Sequence, residues 1–95
     1  MTAYRLTERA EADLGGLYEH GILAFGLRQA DLYFDGLVNY FGEISQNPNR
    51  FVRVDQIRTG YRRAIYGSHA INFRVAPDVI VIVRILGRQD PNREI

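Results

Sequence analysis

Arg58, Tyr61, Arg62, Arg63 and Tyr66 fall within nine residues of one another. Guanidinium and phenol groups together can build an RNA-cleaving site, and they serve equally as a surface that positions a partner, because both tasks need planar, bidentate recognition. No other residues form a recognisable catalytic set. Ser45 and Ser68 lack a patterned His–acid partner, and Ser68 is accounted for by a turn. His20 near a helix end and His69 at a strand start read as structural or surface histidines. Glu8, Glu11 and Glu19 form a solvated helix face, not an acid–base pair. Gly15-Gly16 sits inside an amphipathic run with no lysine nearby, so it is no phosphate loop. Cysteine is absent, which removes disulfides and thiolate metal sites, and no metal or cofactor is expected.

A chain of 95 residues makes one domain, 1–95, that buries roughly two-thirds of its unfolded surface. No apolar run reaches the roughly 18 residues of a membrane span, and the N-terminal stretch lacks the apolar core of a signal peptide. A cytoplasmic protein without membrane contact is expected. The formal net charge of +1 hides a division: residues 1–50 carry −3 and residues 51–95 carry +4. All twelve basic residues are arginine, which suits bidentate contacts and equally fits a coding bias.

The elements that must position these groups can be read from spacing. Residues 3–6 alternate as a short edge strand, and Thr7 offers an N-cap before Glu8 and Glu11. Ala10, Leu14, Leu17, Tyr18 and Phe25 then mark a first amphipathic helix, which Gly26 ends. Ala30, Phe34, Leu37, Phe41 and Ile44 fall on one stripe of a second helix, with Tyr33, Val38 and Tyr40 on its borders. Such a short connection predicts an antiparallel helical hairpin. Asn47-Pro48-Asn49 stops the second helix, and 49–59 is a link with few apolar residues. Strands follow on either side of the Gly67-Ser68 turn, and a last strand at 79–86 is apolar enough to lie inside the sheet. The fold class is therefore α+β, in the order β-α-α-β-β-β, with the hairpin on one face of a small, mainly antiparallel sheet.

One helical hairpin covers one face only. Strict alternation along the last strand puts Ile80, Ile82, Arg84 and Leu86 on one side, Val79, Val81, Val83 and Ile85 on the other. An open face of aliphatics around Arg74 and Arg84 is expected to bind a partner unless Phe51, Ile57 or the C-terminal tail covers it. One of Arg62 and Arg63 must point inward, where an acid of the first helix is its expected partner.

The order of elements, the segment LRQADLYFDGL, and above all RTGYRRAIYGSHAINFRV followed by DVIVIVRIL resemble the RelE/ParE toxins of bacterial type II toxin–antitoxin systems, specifically the ParE branch. The resemblance covers nearly the whole chain. It implies a growth-inhibiting, plasmid-stabilising toxin without catalysis of its own that binds DNA gyrase and is neutralised by a ParD-like antitoxin. That antitoxin would begin with a ribbon-helix-helix domain, through which alone DNA would be contacted. Arg58, Tyr61, Arg62, Arg63, Arg88, Asp90 and Arg93 are then expected to face the target. Tyr33, Leu37, Tyr40, Arg74, Ile80, Ile82, Arg84 and Leu86 are expected to receive the antitoxin. The alternatives are a RelE-type, ribosome-dependent messenger RNA nuclease and a degenerate toxin that retains antitoxin binding only. The nuclease branch typically carries catalytic groups where this chain has Ala70, Gly87 and Arg88. Many ParE-like chains continue after the last strand with a His, then a basic residue and Asp, where this one has Gly87-Arg88-Gln89-Asp90.

Overall fold

The structure, a computed structural model, describes residues 3–87. In chain order it contains β1 (Tyr4–Leu6), α1 (Glu8–Phe25), α2 (Leu27–Gln46), a 3-10 turn (Pro48–Arg50), β2 (Val52–Arg53), β3 (Tyr61–Tyr66), β4 (His69–Val75) and β5 (Ile80–Gly87). The strands form one sheet in the order β1-β5-β4-β3-β2. Only β1 runs parallel to its neighbour, β5, and the other pairs are antiparallel. The expected order therefore holds, with the short β2 added inside the 49–59 link. That strand has no alternation of its own. It exists because Val52 and Arg53 pair with Arg63 and Arg62 on the rim of β3, and because the Arg62 guanidinium donates to the Phe51 carbonyl at 2.7 Å.

Local chemistry sets the helix ends. The Thr7 hydroxyl accepts from the Ala10 N–H at 3.0 Å and donates to the Val83 carbonyl at 2.9 Å, so one side chain starts α1 and ties it to β5. Gly26, at φ 92°, turns the chain between the helices in a conformation that side chains disfavour. Ala30, Leu37, Phe41 and Ile44 of the α2 stripe are buried. Phe34 is only half-buried, because it meets the Tyr18 ring edge-on at 5.3 Å across the helical hairpin. Phe25, expected on the apolar side of α1, is instead 72% exposed at the hairpin tip. The helices cover Ala64, Ile71, Phe73, Ile80, Ile82 and Ile85 in one cluster with Leu37, Phe41 and Ile44. Fully burying a side chain of that size contributes about 1.5–3 kcal/mol.

The face assignment of β5 requires correction. Phe73 pairs with Ile82 but Asn72 pairs with Arg84, so Val83 is an extra residue in a β-bulge. One inserted residue reverses the alternation beyond it. Ile80 and Ile82 therefore lie under the helices together with Ile85, while Val81, Arg84 and Leu86 align with Arg74, Asn72 and Ala70 on the opposite face. Phe51 does not cover that face either, because its ring packs edge-on against Phe73 at 5.8 Å in the core. No helix among the described residues is long and apolar enough to cross a membrane.

Candidate partner-binding surfaces

The open face of the sheet is built by β3, β4 and β5 with β1 at one edge. In register across it lie Tyr61 with Arg74, Arg63 with Asn72, and Val81 between Arg74 and Arg5. Ala70, Asn72 and Val81 form a buried floor although no element among the described residues overlies them as a layer. Long arginine stems beside small floor residues cover apolar surface while their charged ends stay in water. The result is basic and polar where a mixed face of aliphatics around Arg74 and Arg84 was expected.

Two arginines on this face are held in place. Arg63 Nε donates to Asn72 Oδ1 at 3.0 Å. Arg84 forms a bidentate pair with Asp13 of α1, Nε to Oδ2 at 2.7 Å and Nη2 to Oδ1 at 3.2 Å. Asp13 also accepts the Ile85 N–H at 3.0 Å, so it caps the part of β5 that β1 is too short to pair. The hydrogen bonds that Arg84 donates to Asp13 raise the Arg84 pKa above its ordinary value. The acid of α1 thus reaches Arg84, not the inward-pointing Arg62, which is satisfied by the Phe51 and Asn49 carbonyls.

Beside Arg84 a cleft of about 500 Å³ opens, lined by Arg9, Ile57, Arg58 and Tyr61 among others. The loop above it is stiffened by Asp55, which accepts the Gly60 N–H at 2.8 Å and pairs with Arg53 at 3.1 Å. Those contacts, the Gly60 N–H foremost, hold the Asp55 carboxyl below its usual range. Ile57 rides on this loop and lines the cleft. The guanidinium groups of Arg9 and Arg58 have no hydrogen-bond or ion-pair partner among the described residues.

The structure thus brings Arg58, Tyr61 and Arg84 to one cleft with Arg63 near it, and it separates Arg62 onto the helix-covered side. Arg88, Asp90 and Arg93 lie outside the described residues. Of the residues expected to receive an antitoxin, Arg74 is exposed and Leu86 half-buried on the open face, whereas Leu37, Ile80 and Ile82 are core. Tyr33 and Tyr40 are half-buried and engaged internally. Tyr40 packs on Phe51 and Tyr66, and Tyr33 is the hub of the β3–β4 turn. Its hydroxyl donates to the Tyr66 carbonyl at 2.9 Å, meets His69 Nδ1 at 2.8 Å and accepts the Ser68 N–H at 3.3 Å. Burial, and secondarily His20, lowers the His69 pKa, while burial raises that of Tyr33. Arg5, Arg9 and Asp13 were not singled out from sequence. Asp13 was the findable one, since it lies three residues after Ala10 on the buried side of α1.

Comparison with known proteins agrees with this architecture. The sequence model of the family described as "ParE toxin of type II toxin-antitoxin system, parDE" matches residues 4–91. Toxin ParE1 of Caulobacter vibrioides is 35% identical over 90% of this chain and 88% of its own. Toxin ParE1 of Mycobacterium tuberculosis is 32% identical over 97% and 96%. Among solved structures, a chain of the chromosomal ParDE toxin–antitoxin system from P. aeruginosa superposes with a TM-score of 0.78 at 25% identity, over 92% of this chain and 96% of that one. A chain of the RelBE2 toxin–antitoxin complex from Mycobacterium tuberculosis gives 0.65 at 22% identity, over 92% and 98%, a likeness of fold alone. By family, fold and sequence, the chain belongs to the ParE toxins of type II toxin–antitoxin systems.

Proposed function

We propose that this toxin inhibits DNA gyrase by protein–protein binding and is neutralised by a cognate, ParD-like antitoxin. The observation that carries this reading is the division of charge over the fold. The two helices hold seven carboxylates and two arginines, whereas the strands and loops of the sheet side hold eight arginines and two carboxylates among the described residues. A surface so unequal attracts an acidic partner to the sheet face over distances of about a Debye length. Arg58, Tyr61 and Arg63, of the residue types enriched at interface hot spots, form the target-facing part, and Arg74 with Leu86 forms the part that an antitoxin would cover.

The arrangement suits binding better than proton transfer. Asp13, the carboxylate that reaches the open face, is fully engaged by Arg84 and Ile85, so it is a poor general base. The solved ParDE neighbour belongs to a toxin–antitoxin system, which supports an antitoxin as partner.

The test is controlled expression in a bacterial host, alone and together with the neighbouring small reading frame. Growth arrest by the toxin alone, relieved by co-expression and accompanied by loss of plasmid supercoiling, is the expected result. Arrest with intact supercoiling and with messages cut at codon positions would move the protein to the nuclease branch.

A further inference from the structure

The cleft beside Arg84, at about 500 Å³, has a volume in the range of small-ligand sites. Three arginines line it, Arg9, Arg58 and Arg84, and among the described residues no carboxylate does. Asp13 neutralises Arg84 at 2.7 Å, and Asp55, on the loop above, is engaged by Arg53 and the Gly60 N–H. Arg9 and Arg58 are exposed and have no such partner among the described residues, so two positive charges stand uncompensated at one concavity. The wall beside them is apolar and aromatic, formed by Ile57, Tyr61 and Val83. Val83 is the extra residue of the β5 bulge, a device that re-aims side chains beside functional sites. The loop is held by its own backbone: the Ile57 N–H donates to the Val54 carbonyl at 2.9 Å, the Tyr61 N–H to the Arg58 carbonyl at 3.0 Å and the Val54 N–H to the Tyr61 carbonyl at 2.8 Å.

We infer that this cleft is a site for a free nucleoside triphosphate, whose phosphates pair with Arg9 and Arg58 and whose base lies against Tyr61, Ile57 and Val83. A guanidinium presents its donors as a planar fork that matches phosphate oxygens two at a time. Two such forks without internal partners suit a ligand of several negative charges better than a single side-chain carboxylate. The Tyr61 ring supplies a face on which a base stacks, and Ile57 and Val83 keep water from that side of it. Arg84 is fixed by Asp13 and the loop is closed by backbone bonds, so little ordering entropy is lost on binding. The site stands on the cleft alone, whether or not gyrase is the target of the sheet face.

The isotope-labelled full chain, without gyrase, is titrated by NMR with ATP in about 0.1 M salt. Adenosine, inorganic pyrophosphate, a Glu-rich peptide and single-stranded oligothymidylate serve as comparisons. Saturable shifts at Arg9, Arg58, Tyr61 and Val83 are expected with ATP, with pyrophosphate binding about tenfold more weakly and adenosine not saturating. Arg9→Ala and Arg58→Ala should each weaken ATP by about tenfold. Tyr61→Ala should weaken ATP by about tenfold and leave pyrophosphate unchanged, while Arg28→Ala, at the tip of the helical hairpin, changes neither. Failure of ATP to saturate, or undiminished ATP binding by both arginine variants, would overturn the proposal. Pyrophosphate or the Glu-rich peptide binding as tightly as ATP would reduce the cleft to a general anion patch and overturn it as well. Tighter binding of the oligonucleotide than of ATP would assign the cleft to a nucleic-acid strand, with the same consequence.

Discussion

At the scale of single residues, Tyr33 and Asp13 carry more of the structure than their types announce. Tyr33 reaches from α2 to three backbone and side-chain groups at the β3–β4 turn. Tyr33→Phe keeps the ring and deletes those bonds, so a loss of about 1–3 kcal/mol in denaturant melts is expected; a loss under about 0.5 kcal/mol would show that the hub is dispensable. His69 gives the same turn a pH dependence. Burial lowers its folded pKa below the ordinary 6.5, so the folded state binds fewer protons than the unfolded one. Its stabilising contribution is complete above that range and is lost as pH falls through it. The stability difference between the wild type and His69→Gln should therefore shrink from about pH 7 to about pH 5. A constant difference would contradict the assignment.

At the scale of elements, periodicity was enough wherever side chains alternate without interruption. The α2 stripe, the Thr7 cap, the Gly26 break and the Gly67-Ser68 turn are all where spacing and residue type place them. What failed is instructive in each case. The bulge at Val83 leaves no mark in a row of five aliphatic residues, because Val and Ile suit either face, and it moved Ile80 and Ile82 from the open face to the core. Strand β2 is made by its neighbour's rim and not by its own residues. Leu37 belongs to the stripe read as buried and is core; the family resemblance, not the periodicity, put it on a binding surface. The Asp13–Arg84 pair is 71 residues apart in sequence, a distance across which no local pattern speaks. It also makes an unequal prediction. Asp13→Ala leaves a half-buried guanidinium and the Ile85 N–H without their partner, whereas Arg84→Ala leaves Asp13 its backbone bond. Asp13→Ala should cost about 1–3 kcal/mol and exceed Arg84→Ala by about 1 kcal/mol in urea unfolding. Equal costs would mean that the strand cap contributes nothing.

At the scale of the whole molecule, the −3 and +4 halves of the sequence become a carboxylate-rich helical layer and an arginine-rich sheet. That much was legible from composition. Which arginines are available was not. Arg84, expected to await a partner's carboxylate, already has one in Asp13, whereas Arg74 is exposed with no side-chain partner among the described residues. Arg74→Ala should therefore weaken antitoxin binding by about tenfold or more in a surface-binding experiment, with weaker salt dependence than the wild type. Arg84→Ala should act mainly on folding stability. Equal effects on antitoxin affinity, measured on folded proteins, would show that the antitoxin docks away from the arginine row.

The central claim, that this toxin acts on gyrase through the open sheet face, is tested most directly by a supercoiling assay with purified gyrase and relaxed plasmid. The toxin should inhibit supercoiling or trap cleavage complexes, its antitoxin should restore activity, and folded Arg58→Ala and Tyr61→Ala variants should inhibit at least about tenfold less well, the loss expected of interface hot spots. Full supercoiling at saturating wild-type toxin, or undiminished inhibition by both variants, would contradict it.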